Sequence, residues 1–353
     1  MVTKNEILAT LTKVMDPELG RSLTDLNMVH DIDIQDGRVS FTLALTAPGC
    51  PMREQMASTA RSLLLTLPGV QQVEVKFRAM TDEERKNALG SAQPALPKLN
   101  KLNHIKQVIA VMSGKGGVGK SSVTGLLANG LAKRGYKVGV LDADITGPSI
   151  PRIFGLPPGG LRGNDNGILP AVTKTGIKVI SANLLLKEED KPIVWRGPMI
   201  SSTIRQFWTD VIWGRLDTLL IDTPPGTSDA AISIMQNLPL NGAVLVTTPQ
   251  ELAGMVVRKA VYMLNEMHIP IIGVVENMSF FRCPDTGCTH EIFGPSHVEE
   301  IAQAANAPVF GRLPINPDVT ALMDSGRMDE VNLPEMDAIL DVMLAQPVSA
   351  PQK

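Results

Sequence analysis

Gly114-Lys-Gly-Gly-Val-Gly-Lys-Ser121 is the stretch that decides the reading of this chain. It meets the pattern Gly-x4-Gly-Lys-Ser in full. An apolar run at 108–112 (Val-Ile-Ala-Val-Met) precedes it, and a helical pattern over 121–133 follows. Glycines in such a turn let backbone N–H groups converge on phosphates without Cβ clashes. The helix behind them adds the positive end of its dipole. Lys120 is expected to reach the β- and γ-phosphates of a nucleotide, and the Ser121 hydroxyl to bind Mg²⁺. The expected phosphate cradle is Gly114, Lys115, Gly116, Gly117, Val118, Gly119, Lys120, Ser121 and Ser122.

Two acidic strand ends follow in order. Leu219-Leu-Ile-Asp222-Thr-Pro-Pro-Gly226 reads as a buried strand closed by an aspartate, with Asp222 holding Mg²⁺ through water. Leu141-Asp-Ala-Asp144 ends another strand, at the edge where α/β enzymes place ligand-facing groups. Further strand-like apolar runs lie at 138–141, 218–221, 243–247 and 271–275, with helical segments between several of them. Continuous β-branched runs separated by helices predict a parallel sheet covered on both faces. The fold class is therefore α/β: a parallel-sheet P-loop NTPase domain over 104–345, preceded by a small α+β domain over 1–80.

In the small domain a helix is expected over 4–14. Strands are expected at 29–34 and 39–45, joined by the hairpin signal Gln35-Asp-Gly37. A helix through Leu65 and a strand at 70–77 complete it. The run Asp31-x-Asp33-x-x-Asp36-Gly37 lacks the spacing and the closing Glu of a calcium loop and reads as a turn. Residues 81–103 are charged first and then rich in Ala, Pro, Lys and Asn, which reads as a linker. The tail 346–353 is expected to be flexible.

Bulk properties argue against several classes. A net charge of −3 over 353 residues makes no electrostatic case for nucleic acid. No stretch approaches the roughly 18 to 20 apolar residues needed to span a bilayer, so no membrane partner is expected. The polar start Met1-Val-Thr-Lys-Asn-Glu6 is not a secretory leader, and a cytoplasmic location is the expectation. Three cysteines, Cys50, Cys283 and Cys288, are too few and too odd in number for a disulfide framework. In a reducing compartment such residues are fillers, nucleophiles or metal ligands.

A glycine loop that opens Gly-Lys-Gly-Gly resembles the deviant Walker A class, which includes the MinD and ParA proteins, the nitrogenase iron protein and arsenite-pump ATPases. The resemblance implies that Lys115 reaches the nucleotide of a facing subunit, and hence a homodimer with nucleotide at its interface. It implies that Asp144 positions the attacking water and that Asp142 supports the Mg²⁺ shell. It also implies that Asn277, in Val275-Glu-Asn-Met278, reads adenine, so that the nucleotide is ATP.

Closer likeness follows from Asp144-Ile-Thr-Gly-Pro-Ser-Ile-Pro151, Trp195-Arg-Gly-Pro-Met199, Gln206-Phe-Trp-Thr-Asp210 and Asp222-Thr-Pro-Pro-Gly-Thr-Ser-Asp229. These resemble the Mrp/ApbC family of iron–sulfur cluster carrier ATPases over about 104–345. Asp16-Pro-Glu-Leu-Gly20, Asp25-Leu-Asn-Met-Val29 and Thr46-Ala-Pro-Gly-Cys-Pro-Met52 resemble the small iron–sulfur assembly domain often fused ahead of them. Cys50, in a loop leading into a helix, is the candidate reactive thiol of that domain.

The family's cluster ligands fall in Phe281-Arg-Cys283-Pro-Asp-Thr-Gly-Cys288-Thr-His-Glu-Ile-Phe-Gly294. The family spacing is Cys-x2-Cys. Here Thr286 occupies the second position, and Cys288 stands two residues beyond. Two cysteines from each of two subunits would suit a bridging [4Fe–4S] cluster. Thiolates equally suit zinc, with His290 as a further donor, and two unliganded cysteines remain open. The resemblance implies an ATP-dependent [4Fe–4S] carrier acting on apo iron–sulfur proteins and assembly scaffolds. The rival readings are a MinD/ParA-type positioning ATPase and an ATP-binding scaffold with structural zinc or no metal.

Overall fold

Asp36 and Gly37 both take positive φ, 42° and 81°, the geometry of a two-residue turn whose twist matches the strands it joins. The computed structural model describes residues 2–16, 21–45, 53–81, 84, 99–145, 147–185 and 197–346. Within it the turn links β3 (Val29–Gln35) to β4 (Arg38–Leu45) as an antiparallel hairpin. The chain forms two compact units, residues 1–95 and 96–353.

In the first unit α1 (Lys4–Leu11) is opened by a capping box between Thr3 and Glu6. It stops three residues short of the expected end. There the chain turns back, with the Val14 amide on the Leu11 carbonyl, and carries Val14 into the core. A small ladder, β1 (Met15–Asp16) with β2 (Arg21–Ser22), follows. After the hairpin, α2 (Arg53–Leu64) crosses to β5 (Gln72–Ala79), which lies parallel to β4. Ile7, Leu11, Phe41, Leu43, Met56 and Leu64 fill the space between helices and sheet.

The second unit is built on β6 (His104–Ser113), which contains the apolar run ahead of the glycine loop. Its side chains alternate between two cores. Val108, Ala110 and Met112 enter one, Ile109 and Val111 the other. After α3 (Lys120–Lys133) come β7 (Val138–Asp142), α4 (Ile150–Ile153), the hairpin β8 (Arg162–Asn164) and β9 (Gly167–Leu169), then β10 (Ala171–Val172) and β11 (Lys178–Ser181). Next are α5 (Gly197–Thr209), β12 (Arg215–Asp222), α6 (Asp229–Asn237), β13 (Gly242–Thr247), α7 (Glu251–Glu266) and β14 (Ile271–Arg282). The unit ends with β15 (Thr289–His290), α8 (Val298–Ala305), β16 (Val309–Ile315), α9 (Pro317–Asp324) and α10 (Pro334–Ala345).

Among the described residues nine strands form one sheet in the order β10-β11-β7-β12-β6-β13-β14-β15, with β16 also on β14. All pairs are parallel except the two at its ends, β10 on β11 and β15 on β14. Helices cover both faces, as a parallel sheet with two apolar sides requires. Register then sets the chemistry: Asp222 lies beside Asp142 on one side and Val111 on the other. The carboxyl ends of β6, β7 and β12 thus meet at one edge, where open α/β sheets bind ligands. Among the described residues no helix is long and apolar enough to cross a membrane.

One core residue tests this packing. Trp213 is fully buried and its indole N–H donates to the Phe207 carbonyl at 3.2 Å. Trp213→Ala is expected to destabilise the second unit by roughly 3–5 kcal/mol, read as a lower urea midpoint.

Candidate functional site

The chain leaves β6 at Ser113 and enters α3 at Lys120 through the glycine loop. Gly117 and Gly119 take φ of 79° and 77°, which side chains rarely adopt. A Cβ at Gly119 would also strike the Asn277 amide nitrogen. That amide donates to the Val118 carbonyl at 2.9 Å and ties the middle of β14 to the loop. Ser113 Oγ donates to the Lys115 carbonyl at 2.9 Å and braces the loop's first turn. Gly119 caps α3 without a side-chain hydrogen bond, leaving the helix's leading N–H groups to an anion. The loop, Asp144 and Pro225 line a cavity of about 200 Å³.

Beneath the loop three donors share one buried carboxylate. Lys120 Nζ (2.7 Å) and Thr124 Oγ1 (2.8 Å) donate to Asp222 Oδ1, and Ser121 Oγ (2.6 Å) donates to Oδ2. Lys120 is 6% exposed and Asp222 not at all, so their attraction is little screened by solvent. Beside them Asp142 is fully buried. Its Oδ2 accepts from Ser181 Oγ at 3.1 Å and the Ile150 amide at 3.2 Å, while Oδ1 has no hydrogen-bond partner. Burial, and then the Asp222 charge, push its carboxyl well above the usual carboxylate range, against the weaker pull of Lys120. An unpartnered buried oxygen, a second carboxylate and a hydroxyl form a hard oxygen donor set, and that set fits Mg²⁺.

The remaining predicted groups occupy the rim. Asp144 Oδ1 accepts from the Gly147 amide at 3.2 Å and faces the cavity. Lys115 Nζ donates to Gln250 Oε1 at 2.7 Å in solvent. Sequence reasoning missed Thr124, Ser181 and Gln250. Thr124 carried a usable signal, since it lies one helical turn after Lys120. Gln250 stands just past the carboxyl end of β13, an address shared with the other site residues. Ser181 reaches Asp142 only because β11 lies on β7, which no local pattern announces.

The cysteines sit on a separate feature, a hairpin at the far end of β14. Phe281 pairs with His290 and Arg282 with Thr289. Continuing that register sets Cys283 opposite Cys288, and the Cys283 amide donates to the Cys288 carbonyl at 2.9 Å. Directly opposed residues project to the same face, with Cβ atoms about 4.5–5.5 Å apart. The displaced second cysteine is therefore in register with the first, and Thr286, in the turn, is not. The Thr286 hydroxyl, then the Thr286 and Asp285 amides, hold the Cys283 thiol below its ordinary range, which favours the thiolate that ligates metal. Both thiols are free, with Cys288 exposed and Cys283 partly so. Among the described residues no group of three or more His, Cys, Asp or Glu is arranged to hold a metal within one chain. Cys50, Trp195 and Arg196 lie outside the described residues.

Residues 104–345 match the model of the NUBPL iron-transfer P-loop NTPases, and residues 4–77 match that of the iron–sulfur cluster assembly proteins. The iron-sulfur cluster carrier protein of Synechocystis sp. is 40% identical over 339 residues, covering 95% of this chain and 93% of that one. That of Clostridium perfringens is 48% identical over 230 residues, 63% of this chain and 81% of its own. A nucleotide-binding protein from Archaeoglobus fulgidus, solved with ADP, is 43% identical over 70% of this chain and 95% of its own, with a TM-score of 0.60. The cell-division ATPase MinD of Pyrococcus furiosus shares the fold at a TM-score of 0.50 and 21% identity, over 68% of this chain and 97% of its own.

Two outcomes follow from the site's geometry. Gly119→Ala is expected to lower nucleotide affinity by a factor of about 100 or more, because φ and Asn277 both reject the methyl group; fluorescent-nucleotide titration reads it. The Asp142 carboxyl titrates higher folded than unfolded, so its contribution favours the fold below the unfolded value of about 3.9 and is lost as pH rises from there toward the folded value. In EDTA, Asp142→Asn should therefore melt above the wild type at neutral pH, with the gap closing as pH falls toward about 4.

Proposed function

The chain belongs to the NUBPL-type iron-transfer P-loop NTPase family, behind an iron–sulfur cluster assembly domain, and we propose that it is an ATP-dependent carrier of a [4Fe–4S] cluster. The cluster is cargo, held between two copies of the chain and passed to apo iron–sulfur proteins. The observation that carries this reading is the cross-strand register of Cys283 and Cys288. One hairpin presents two thiols on one face, and a two-fold axis doubles them to the four thiolates such a cluster takes. A zinc site complete within one chain finds no support among the described residues.

ATP would enter the loop cavity with its phosphates on the leading N–H groups of α3. Lys120 would exchange Asp222 for the β- and γ-phosphates. Mg²⁺, held by Ser121, Asp222 and Asp142, would neutralise charge on the phosphate oxygens. Asp144, on the cavity wall, would orient a water toward the γ-phosphorus and accept its proton. The water oxygen forms the new P–O bond as the bond to ADP breaks. Lys115 would stabilise the charge from the facing subunit. Its bond to Gln250 is exposed and worth about 1 kcal/mol, so the side chain is readily released for that role. Nucleotide occupancy would bias the dimer between forms that hold and release cargo.

Anaerobic reconstitution is expected to load about four iron and four sulfide per dimer, the complement of one cluster, and Cys283→Ala should load none. Full loading of the variant, or none of the wild type under any condition, would sink the reading. Lys120→Ala and Asp144→Ala should each slow ATP turnover by about 10² or more, with Asp144→Ala still binding nucleotide. Rates equal to wild type would remove both residues from the chemistry.

A further inference from the structure

Glu276 and Arg312 belong to neither site described above, yet they stand between them. Glu276, on β14, is fully buried. Its Oε2 accepts a hydrogen bond from Ser279 and lies 3.3 Å from Arg312 Nε, while Oε1 has no hydrogen-bond partner. Arg312, on the neighbouring β16, also donates from Nε to Ser279 Oγ at 2.6 Å. A second nitrogen of the same guanidinium, Nη2, donates to Glu291 Oε1 at 3.3 Å. Its carbon sits 5.9 Å from the centroid of the Phe280 ring. Arg282, the residue before Cys283, lies over that ring at 5.8 Å and pairs with Glu335 of α10 at 3.2 Å.

The positions held are informative. Glu276 and Ser279 bracket Asn277 and Met278. Asn277 closes on the glycine loop, and Met278 takes a φ of 55°, a conformation uncommon outside glycine. The β14–β16 register shifts across this segment, between Glu276 and Phe280. Glu291 lies three residues beyond Cys288 and next to His290, which pairs with Phe281. One planar fork therefore grips β14 beside Asn277 with one nitrogen and the returning arm of the cysteine hairpin with another. A guanidinium keeps its donors in fixed relation, so a shift at one end moves the other. The Glu276 end is buried and firm, whereas the Glu291 pair is solvent-exposed and screened. The hairpin end is the one that yields.

We propose that Arg312 is a positioning residue that couples nucleotide at Asn277 to the geometry of the Cys283–Cys288 hairpin through Glu276, Ser279 and Glu291. The inference rests on the carrier reading and gives it a route within one subunit. Hydrogen exchange of the full chain, with and without ADP or a non-hydrolysable ATP analogue, tests it over residues 283–291. Glu291→Ala removes the acceptor at the exposed end and leaves the buried pair intact. Arg312→Lys keeps the charge beside Glu276 but loses the fork. Nucleotide is expected to change exchange across the wild-type hairpin several-fold, and this response should vanish in Glu291→Ala with nucleotide affinity unchanged. Arg312→Lys should lose it as well; if that variant does not fold, Glu291→Ala alone decides. A wild-type hairpin that ignores nucleotide, or a Glu291→Ala hairpin that responds like wild type, overturns the coupling. Fluorescent-nucleotide affinity and iron content, measured on the same samples, show separately whether the carrier reading itself stands.

Discussion

A carboxylate at the end of a buried strand organises the second unit. Asp222 receives Lys120, Ser121 and Thr124, three residues of the first turns of α3. Each bond to an ionised acceptor contributes about 1.5–3 kcal/mol, and leaving the buried charge without its ammonium partner costs roughly 3–5 kcal/mol. The carboxylate therefore fixes how α3 enters against β12, and with it where the glycine loop stands. The same group is a neighbour of Asp142, whose carboxyl it helps to push upward. Placing two acids side by side without solvent is unfavourable by itself. Under the proposed function a cation held there would answer both charges at once.

The long strand β14 is the second organising element. It starts in the core, passes the glycine loop at Asn277 and ends in the cysteine hairpin. Parallel pairing with β16 carries it beyond the apolar run that the pattern predicts at 271–275. The extension passes through a polar stretch, Glu276-Asn-Met-Ser279, whose buried groups are satisfied largely by one arginine. A strand that joins two sites and is tied at both ends offers a physical path between them. Spatial continuity alone does not make a path functional, and the value of this arrangement is that its two ends can be cut separately.

Much of the architecture was legible in the residues. Gly114 to Ser121, the strand before it and the helix after it were sufficient for the loop, because φ restrictions and the absence of Cβ make glycine spacing specific. The central strands β6, β7, β12 and β13 announced themselves by apolar runs, since a parallel sheet buried on two faces tolerates little else. The short strands toward the two ends of the sheet did not. β10 and β15 have two residues each and β11 four, too few for any periodicity to appear. The start of β14 was visible and its continuation was not, because Glu276 and Asn277 read as polar loop residues.

The sequence by itself determined the residue types and their order: a glycine loop, two aspartate-ended strands, an asparagine after a buried run, and three cysteines. These are local properties, governed by backbone sterics and by burial along one segment. It left the Cys-x4-Cys spacing as a departure from the family pattern. Only the tertiary structure decided that this spacing is in register, because opposition across a hairpin depends on where the turn falls and not on the count between the two residues. It likewise decided that Asp142 stands beside Asp222, that Ser181 serves Asp142, and that Arg312 bridges Glu276 and Glu291. Each of those contacts joins segments far apart in the chain, and strand register, which no short window encodes, brings them together.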